Sequence, residues 1–474
     1  MPRYAAKQAG SSGNGRNEIH ACSRVVILCQ FTKGNEDESV GGSQQSAHGG
    51  DSVARMRQQA RGIRPIDLTD VQLASSETAR RINRDIVLEL IRANQPISRA
   101  DLSRSSGLQR STVSQIVEQL IQEKWVCEGA IASPPRGRRP TLLGLNEDLV
   151  VIAVDLHPEQ ATVATVDLNG RLLDRSIVPI TADPAASTKS ITDCIEHMRR
   201  ALPRKSIEGI GIALPGRVDP ANQRMIFAPN LHWPNYDLKR AVETATKLPV
   251  KMENAATACL LAEITFRRMD GVRDIVLVTI SEGVGAGVFA NGHLVAGHHG
   301  MAGEFGHVAL DPSGLQCGCG RKGCWEMFAS CSAALRYYKE FEPRAGTTTF
   351  NELLNLAEAG DANATKALAQ QALYIGRGLR LIIAGLSPAV ILIAGDITSA
   401  WHRFGPLIDK EVAEQTLVGT PPRILPTHDG DVARLRGAAA LVFQRRSVGP
   451  LTKATQRKSN GKKASRDFLT AHRT

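Results

Sequence analysis

No apolar run in the 474 residues approaches the roughly 20 that a helix needs to span a bilayer, and Met1-Pro-Arg-Tyr-Ala-Ala-Lys lacks the long apolar core of a signal peptide. A cytoplasmic chain with no membrane partner is the expectation. Cysteine is scarce and odd in number, nine in all with three crowded into positions 317–324, which argues against a disulfide framework and for a reducing compartment. Residues 1–77 lack sustained hydrophobic periodicity. Their one compact apolar cluster, Val25-Val26-Ile27-Leu28, has no neighbours with which to offset the entropy of ordering the segment, so a disordered extension is expected there. Acidic residues are in deficit, 47 against 58 Lys and Arg, and the net charge of +11 favours a polyanionic partner, nucleic acid foremost. The last stretch, 449–474, strings Lys453, Arg457, Lys458, Lys462, Lys463 and Arg466 among small polar residues and reads as a solvated basic tail. At about 150 residues per domain, two or three domains fit between these ends.

What is present begins at residue 78. Ile82, Ile86, Val87, Leu90 and Ile91 recur at helical spacing up to Asn94-Gln95-Pro96, where proline stops the helix. Ser98 is placed to cap a second, short helix, with Asp101 at its third position, and Gly107 turns the chain. A third helix is predicted from Arg110 to Glu123. It buries Val113, Ile116, Val117 and Leu120 and leaves Arg110, Ser111, Thr112, Ser114 and Gln115 at its outer N-terminal end. Helix, short helix, turn and helix is the helix-turn-helix arrangement, whose last helix enters the major groove of double-stranded DNA. The hydroxyls suit phosphates, and the side chains of Arg110 and Gln115 have the fork geometry that reads guanine and adenine edges. Trp125–Glu128 and Thr141–Leu145 read as strands bracketing Ser133–Pro140, a wing made basic by Arg136, Arg138 and Arg139. Residues 78–148 are therefore expected to form a winged DNA-binding domain.

From Leu149 to about 448 strands and helices interleave, an α/β pattern. Leu149–Asp155 and Ala161–Asp167 read as strands, with a tight turn at Asn169-Gly170. Ile207–Leu214 gives a further strand, and Ile275–Ile280 opens a second, similar half, so two lobes with a cleft are expected. Gly283-Val284-Gly285-Ala286-Gly287 is a glycine-rich turn that lets backbone approach a ligand, a weak signal taken alone. Gly303-Glu304-Phe305-Gly306-His307 and the following Cys317, Cys319 and Cys324 supply three thiols and an imidazole, the donor set of a closed tetrahedral zinc site with a structural role. Glu304 and the flanking Glu326 are acceptors suited to the hydroxyls of a polyol. Cys331 reads as buried helix and is left out of the ligand set.

These motifs, with the late Ile391-Leu-Ile-Ala-Gly395 strand and turn, resemble the ROK family, which groups transcriptional repressors with sugar kinases, over about residues 79–445. The resemblance implies a two-lobed, actin-like (ribonuclease H-like) domain in which His307, Cys317, Cys319 and Cys324 bind zinc. It further implies that Asn230, Asn254, Glu304, His307 and Glu326 line the sugar site. The kinases of the family lack the winged head. They also carry Asp-x-Gly-Gly-Thr for ATP phosphates, where this chain has Asp155-Leu156-His157-Pro158-Glu159-Gln160, and Glu-Asn-Asp-Ala-Asn, where it has Glu253-Asn254-Ala255-Ala256-Thr257. The methyl of Ala255 accepts no proton, and loss of a positioned base costs about 10²–10⁴-fold. The expectation is a sugar-responsive repressor without enzymatic activity, a homodimer or homotetramer whose paired heads meet a palindromic operator. A kinase with a DNA-binding appendage and a regulator that senses zinc are the alternatives.

Overall fold

A computed structural model describes residues 76–131, 140–228, 231, 233, 236–267, 269, 271–344, 346–414, 420–427, 430 and 432–447, all within one compact unit that starts at Leu73. The expected N-terminal extension, the basic tail, Asn230 and the wing residues Arg136, Arg138 and Arg139 lie outside the described residues. Among the described residues, no helix is long and apolar enough to cross a membrane.

The head comprises α1 (Ser76–Asn94), β1 (Ile97–Ser98), α2 (Arg99–Ser106), α3 (Arg110–Gln122), β2 (Val126–Ile131) and β3 (Thr141–Leu145). Ser98 Oγ caps α2 by accepting the Asp101 amide at 3.2 Å and donates to Asp101 Oδ2 at 2.6 Å, so the third-position carboxylate is tied to the capping hydroxyl and not, as in a capping box, to the capping residue's backbone amide. Gly107, at φ 71°, closes α2, and Val113, Ile116, Val117 and Leu120 are the buried face of α3. Two features depart from expectation. The first is β1, which adds a strand to the hairpin by pairing Ile97 with Leu143 and Ser98 with Leu142. The second is α1, which is rotated: Ile82 and Ile86 are 52% and 42% exposed, and Arg84, Val87, Leu88 and Ile91 turn inward. Positions 84, 87, 88 and 91 form an equally good helical stripe. The buried guanidinium of Arg84 is ion-paired through one nitrogen with Glu123 and through another with Asp85 at 3.5 Å, and lies 5.8 Å from the centroid of the Trp125 ring.

The first lobe contains β4 (Leu149–Leu156), β5 (Gln160–Asp167), β6 (Leu172–Pro179), α4 (Pro184–Ala201), β7 (Ser206–Leu214), the small hairpin β8 (Arg217–Val218) and β9 (Met225–Phe227), α5 (Leu238–Thr246) and β10 (Val250–Asn254). Helix α6 (Ala255–Phe266) leads to β11 (Ile275–Ile280), β12 (Val284–Ala290) and β13 (His293–Leu294) of the second lobe. There follow α7 (Glu326–Ala329), α8 (Cys331–Phe341), α9 (Phe350–Glu358), α10 (Ala362–Leu386), β14 (Val390–Ala394), α11 (Trp401–Ala413), β15 (Arg423–Pro426) and α12 (Val432–Ser447). The two sheets share one topology. Each is a three-strand antiparallel meander, β4–β5–β6 or β11–β12–β13, to whose first strand two parallel strands are added, β7 then β10 or β14 then β15. Strands β4 and β14 are buried at every residue, as strands covered on both faces must be.

Helix α12 crosses back to the first lobe. It lies so close to β7 that a Cβ on Gly211 would stand 1.8 Å from the carbonyl oxygen of Ala438. Its far half enters the core of the head: Val87, Ile91, Val117, Leu120 and Trp125 share one buried cluster with Val151, Val166, Ala439, Val442 and Phe443. The Phe443 ring meets Trp125 edge-on at 5.9 Å and Phe266 at 6.2 Å between centroids. Polar contacts reinforce the seam. Arg92 donates to the Thr265 carbonyl at 3.3 Å and stacks over Phe266, and Gln95 Nε2 donates to Asn169 Oδ1 at 2.7 Å. The head and first lobe are one packed body. Truncating Phe443 to Ala is expected to cost about 3–5 kcal/mol, as for other buried aromatics, and to speed amide hydrogen exchange in 76–131 more than in the second lobe, measured by mass spectrometry.

Candidate functional site

Between the lobes lies a cleft of about 680 Å³, bordered by the carboxyl ends of β4, β7, β10, β11 and β14. Ligands of open α/β sheets collect at such ends. One half of the cleft holds the residues predicted to meet a polyol. Glu304 and His307 sit on a single turn of 3₁₀ helix, Glu304–His307, and Glu326 opens α7. All three line the cavity together with Asn254 and Ala255. Burial raises the pKa of Glu304, against the pull of the His307 and Arg217 charges. The side chain of Asn254 is engaged at both ends: Oδ1 caps α6 by accepting the Ala256 amide at 2.8 Å, and Nδ2 donates to the Gly216 carbonyl at 2.9 Å. One N–H and one lone pair remain for a ligand. Glu253, which sequence reasoning passed over, also lines the cavity, and its Oε1 accepts the Asn254 amide at 2.8 Å.

Of the glycine run, Gly283 lies in the bend between β11 and β12 and lines the cleft together with Gly285, whereas Gly287 serves packing. Residues 284–290 form a strand, not a turn, and a Cβ on Gly287 would come within 3.0 Å of the Ala256 carbonyl of α6. A bare strand lets the helix lie directly on it.

His307, Cys317, Cys319 and Cys324 converge so that their donor atoms all lie within 4.8 Å of one another. Cys319 Sγ and Cys324 Sγ are 3.7 Å apart, and Cys317 Sγ is 3.6 Å from His307 Nδ1. A tetrahedron with about 2.3 Å metal–sulfur and 2.0–2.1 Å metal–nitrogen bonds has edges of about 3.8 and 3.5 Å, so the cluster fits a metal of that size. The loop is anchored by Trp325, fully buried, whose Nε1 donates to the Tyr374 carbonyl at 2.8 Å. Glu326 belongs to the same assembly. Its Oε1 is 3.3 Å from His307 Nδ1 and accepts from Cys317 Sγ at 2.7 Å, so its partners come from the cluster and not from Arg321 or Lys322. Cys331 stands apart at the start of α8, its thiol 3.8 Å from the Ile280 carbonyl.

The other half of the cleft is occupied by charge. Arg434, near the start of α12, reaches Asp155 Oδ1 at 2.8 Å and the Leu156 carbonyl at 3.3 Å. His157 Nε2 is 3.0 Å from Asp155 Oδ2, and His157 Nδ1 is 3.7 Å from Glu282 Oε1, across the cleft on the second lobe. Burial works against the imidazolium, but the bonds to Asp155 and Glu282 outweigh it and hold the His157 pKa up at about 9. The bond from His157 holds Glu282 down at about 2. Two cations and two carboxylates thus close on one another. Arg434 has no local sequence signal, since it meets Asp155 from 279 positions away.

On the head, Arg110, Ser111, Ser114 and Gln115 are exposed and Thr112 is half-buried, all at the first turns of α3, which carry no acidic residue. They present donors and a cation at the positive end of a helix dipole, an arrangement that accepts phosphate and reaches base edges.

Comparison with known proteins agrees with this architecture. The profile described as "ROK family" matches residues 151–445, and one described as winged helix-turn-helix DNA-binding matches 79–126. The chain is 31% identical to the xylose repressor of Bacillus spizizenii over 380 residues, 79% of this chain and 98% of that protein. Among solved structures it is similar to a ROK family transcriptional regulator described as a homologue of the Escherichia coli MLC protein, with 27% identity, a TM-score of 0.67, and coverage of 77% of this chain and 96% of the other. It also resembles a ROK family glucokinase from Streptomyces griseus solved with glucose and AMPPNP, at 29% identity and TM-score 0.57, covering 62% of this chain and all of that one.

The His157–Glu282 pair has a defined pH window. The raised His157 pKa makes its contribution complete below the ordinary histidine value near 6.5 and lost as pH rises through about 9. The lowered Glu282 pKa makes its contribution complete above the ordinary 4.5 and lost as pH falls through about 2. Scanning calorimetry should therefore find Glu282→Gln lower-melting than the parent by about 1–2 °C at pH 6, the scale of a partly exposed pair, with the difference vanishing by pH 10.

Proposed function

Since this chain belongs to the ROK family, we propose that it is a sugar-responsive, DNA-binding transcriptional repressor of carbohydrate uptake or catabolism genes. One observation carries the reading. A helix-turn-helix head with an uncluttered recognition-helix start shares a single core with a cleft that has a methyl group, Ala255, at the family's general-base position.

The chemistry of the cleft favours binding without turnover. Phosphoryl transfer needs a backbone cradle for phosphates and a group that takes the sugar's proton. In this chain Asp155, His157, Glu282 and Arg434 pair with one another in the half of the cleft where the family's kinases hold ATP, so neither cation is free to meet a phosphate. In the other half, Glu304, Glu326 and His307 accept or donate to sugar hydroxyls, assisted by Asn254 and by Asn230. His307, Cys317, Cys319 and Cys324 hold a structural zinc, which when bound stiffens the loop that presents Glu304 and Glu326. Coupling to DNA runs along α12. Arg434 at one end feels the closure of the lobes, and Val442 and Phe443 at the other are packed against Trp125, so displacement of the helix shifts the head. In a symmetric dimer or tetramer such a shift changes the spacing of paired recognition helices, hence operator affinity. Arg110 and Gln115 read bases; Ser111, Thr112 and Ser114 hold phosphates, with Arg136, Arg138 and Arg139 as wing contacts.

Gel-shift titration of the chain's own upstream DNA tests this. Binding is expected to fall when the cognate sugar is added and to weaken about 10-fold or more in Gln115→Ala. Glu304→Gln should bind DNA normally but need at least about 10-fold more sugar for release. DNA binding indifferent to every sugar, or ATP turnover with glucose or xylose in a coupled assay, overturns the reading. Metal analysis is expected to find one zinc per chain, lost with a fall in melting temperature in Cys319→Ser.

A further inference from the structure

The mouth of the cleft offers surface that a free monosaccharide leaves bare. Arg217 of β8 pairs across the small hairpin with Phe227 of β9, and its guanidinium reaches over to the sulfur of Met301 on the second lobe. Phe227 is 41% exposed and Met301 51% exposed, although both are large and apolar, and Phe227 and Arg217 line the cavity that contains Glu304. Val295, 37% exposed, lines the same cavity from the second lobe. Among the described residues Arg217 Nε is buried without a hydrogen-bond partner, and a neighbouring nitrogen of the guanidinium donates to the Met301 thioether. Arg217, Phe227 and Val295 line the same cavity as Glu304 and Glu326, so the proposed sugar floor runs without a break to this apolar lip.

Each lip group favours the same kind of occupant. A phenyl ring, the flat face of a guanidinium and a thioether all stack on an aromatic ring or on the apolar face of a pyranose, and contiguous exposed apolar surface at the rim of a polar cleft marks a binding site. A cavity of about 680 Å³ is in the range that takes such an elongated ligand. Resting on the sugar-binding reading above, we propose that the effector is a glycoside larger than a monosaccharide: its first ring sits on Glu304 and Glu326, and a flat second unit, an aromatic aglycone or another pyranose, lies against Phe227, Met301 and Arg217.

Isothermal titration of the full chain with D-glucose and D-xylose, their phenyl β-glycosides, and cellobiose and xylobiose tests this and separates the two kinds of second unit. At least one elaborated ligand is expected to bind about tenfold more tightly than its parent monosaccharide. Phe227→Ser should erase that gain while leaving monosaccharide affinity within about twofold, and Met301→Ser, at an exposed position, should act in the same direction. Monosaccharides that bind as tightly as their glycosides overturn this inference and leave the sugar-binding reading standing, as does a Phe227→Ser that weakens both classes equally. No binding of any of the six compounds counts against both.

Discussion

The edge-to-face contacts that Phe443 makes with Trp125 and Phe266 join the DNA-reading head to the ligand-binding body, and the rest of the structure depends on them. Trp125 closes the core of the three-helix unit, Phe266 ends the helix that begins beside the cleft at Ala255, and Phe443 belongs to the helix that begins beside it at Arg434. A side chain in a close-packed interior does not move alone. The seating of α6 and α12 and the placement of the head are therefore bound together through one packed core. Arg92 and Gln95 hold the same seam by charge and hydrogen bonding.

The cleft divides into halves with different physics. In one, a cluster of soft donors lies beside a short turn, and the carboxylates of Glu304 and Glu326 line the cavity, a geometry suited to hydroxyl groups. In the other, Asp155, His157, Glu282 and Arg434 satisfy one another. A self-neutralised set has little to offer a polyphosphate, because each contact would first have to be broken. The His157–Glu282 contact also joins the two lobes directly, so the chain ties this half of the cleft together with its own side chains.

The local parts of this design are legible in the sequence. The capping pair Ser98 and Asp101, the buried stripe of α3 and the metal-ligand spacing of the cysteines follow from rules that act over a few residues, and the structure realises each of them. Long-range packing decides what the sequence leaves open. Whether α1 buries Ile82 or Arg84 depends on Glu123 and Trp125. Asn254 reads as a ligand group, yet its amide is largely spent in capping α6. The glycines of β12 suggest a ligand loop but admit a helix. Arg434 acquires its meaning only when the last helix folds back onto the first strand of the lobe.

That last helix has a consequence for biosynthesis. Among the described elements α12 is the final one to leave the ribosome, yet its side chains complete the interior of the head and of the first lobe. Until it emerges, Trp125 and Phe266 lack the ring that packs against both, and neither region has its finished core. Loss of this one helix would therefore open the interior of the head and strip Asp155 of Arg434 in a single stroke, so that neither the DNA-reading surface nor the cleft is complete without it.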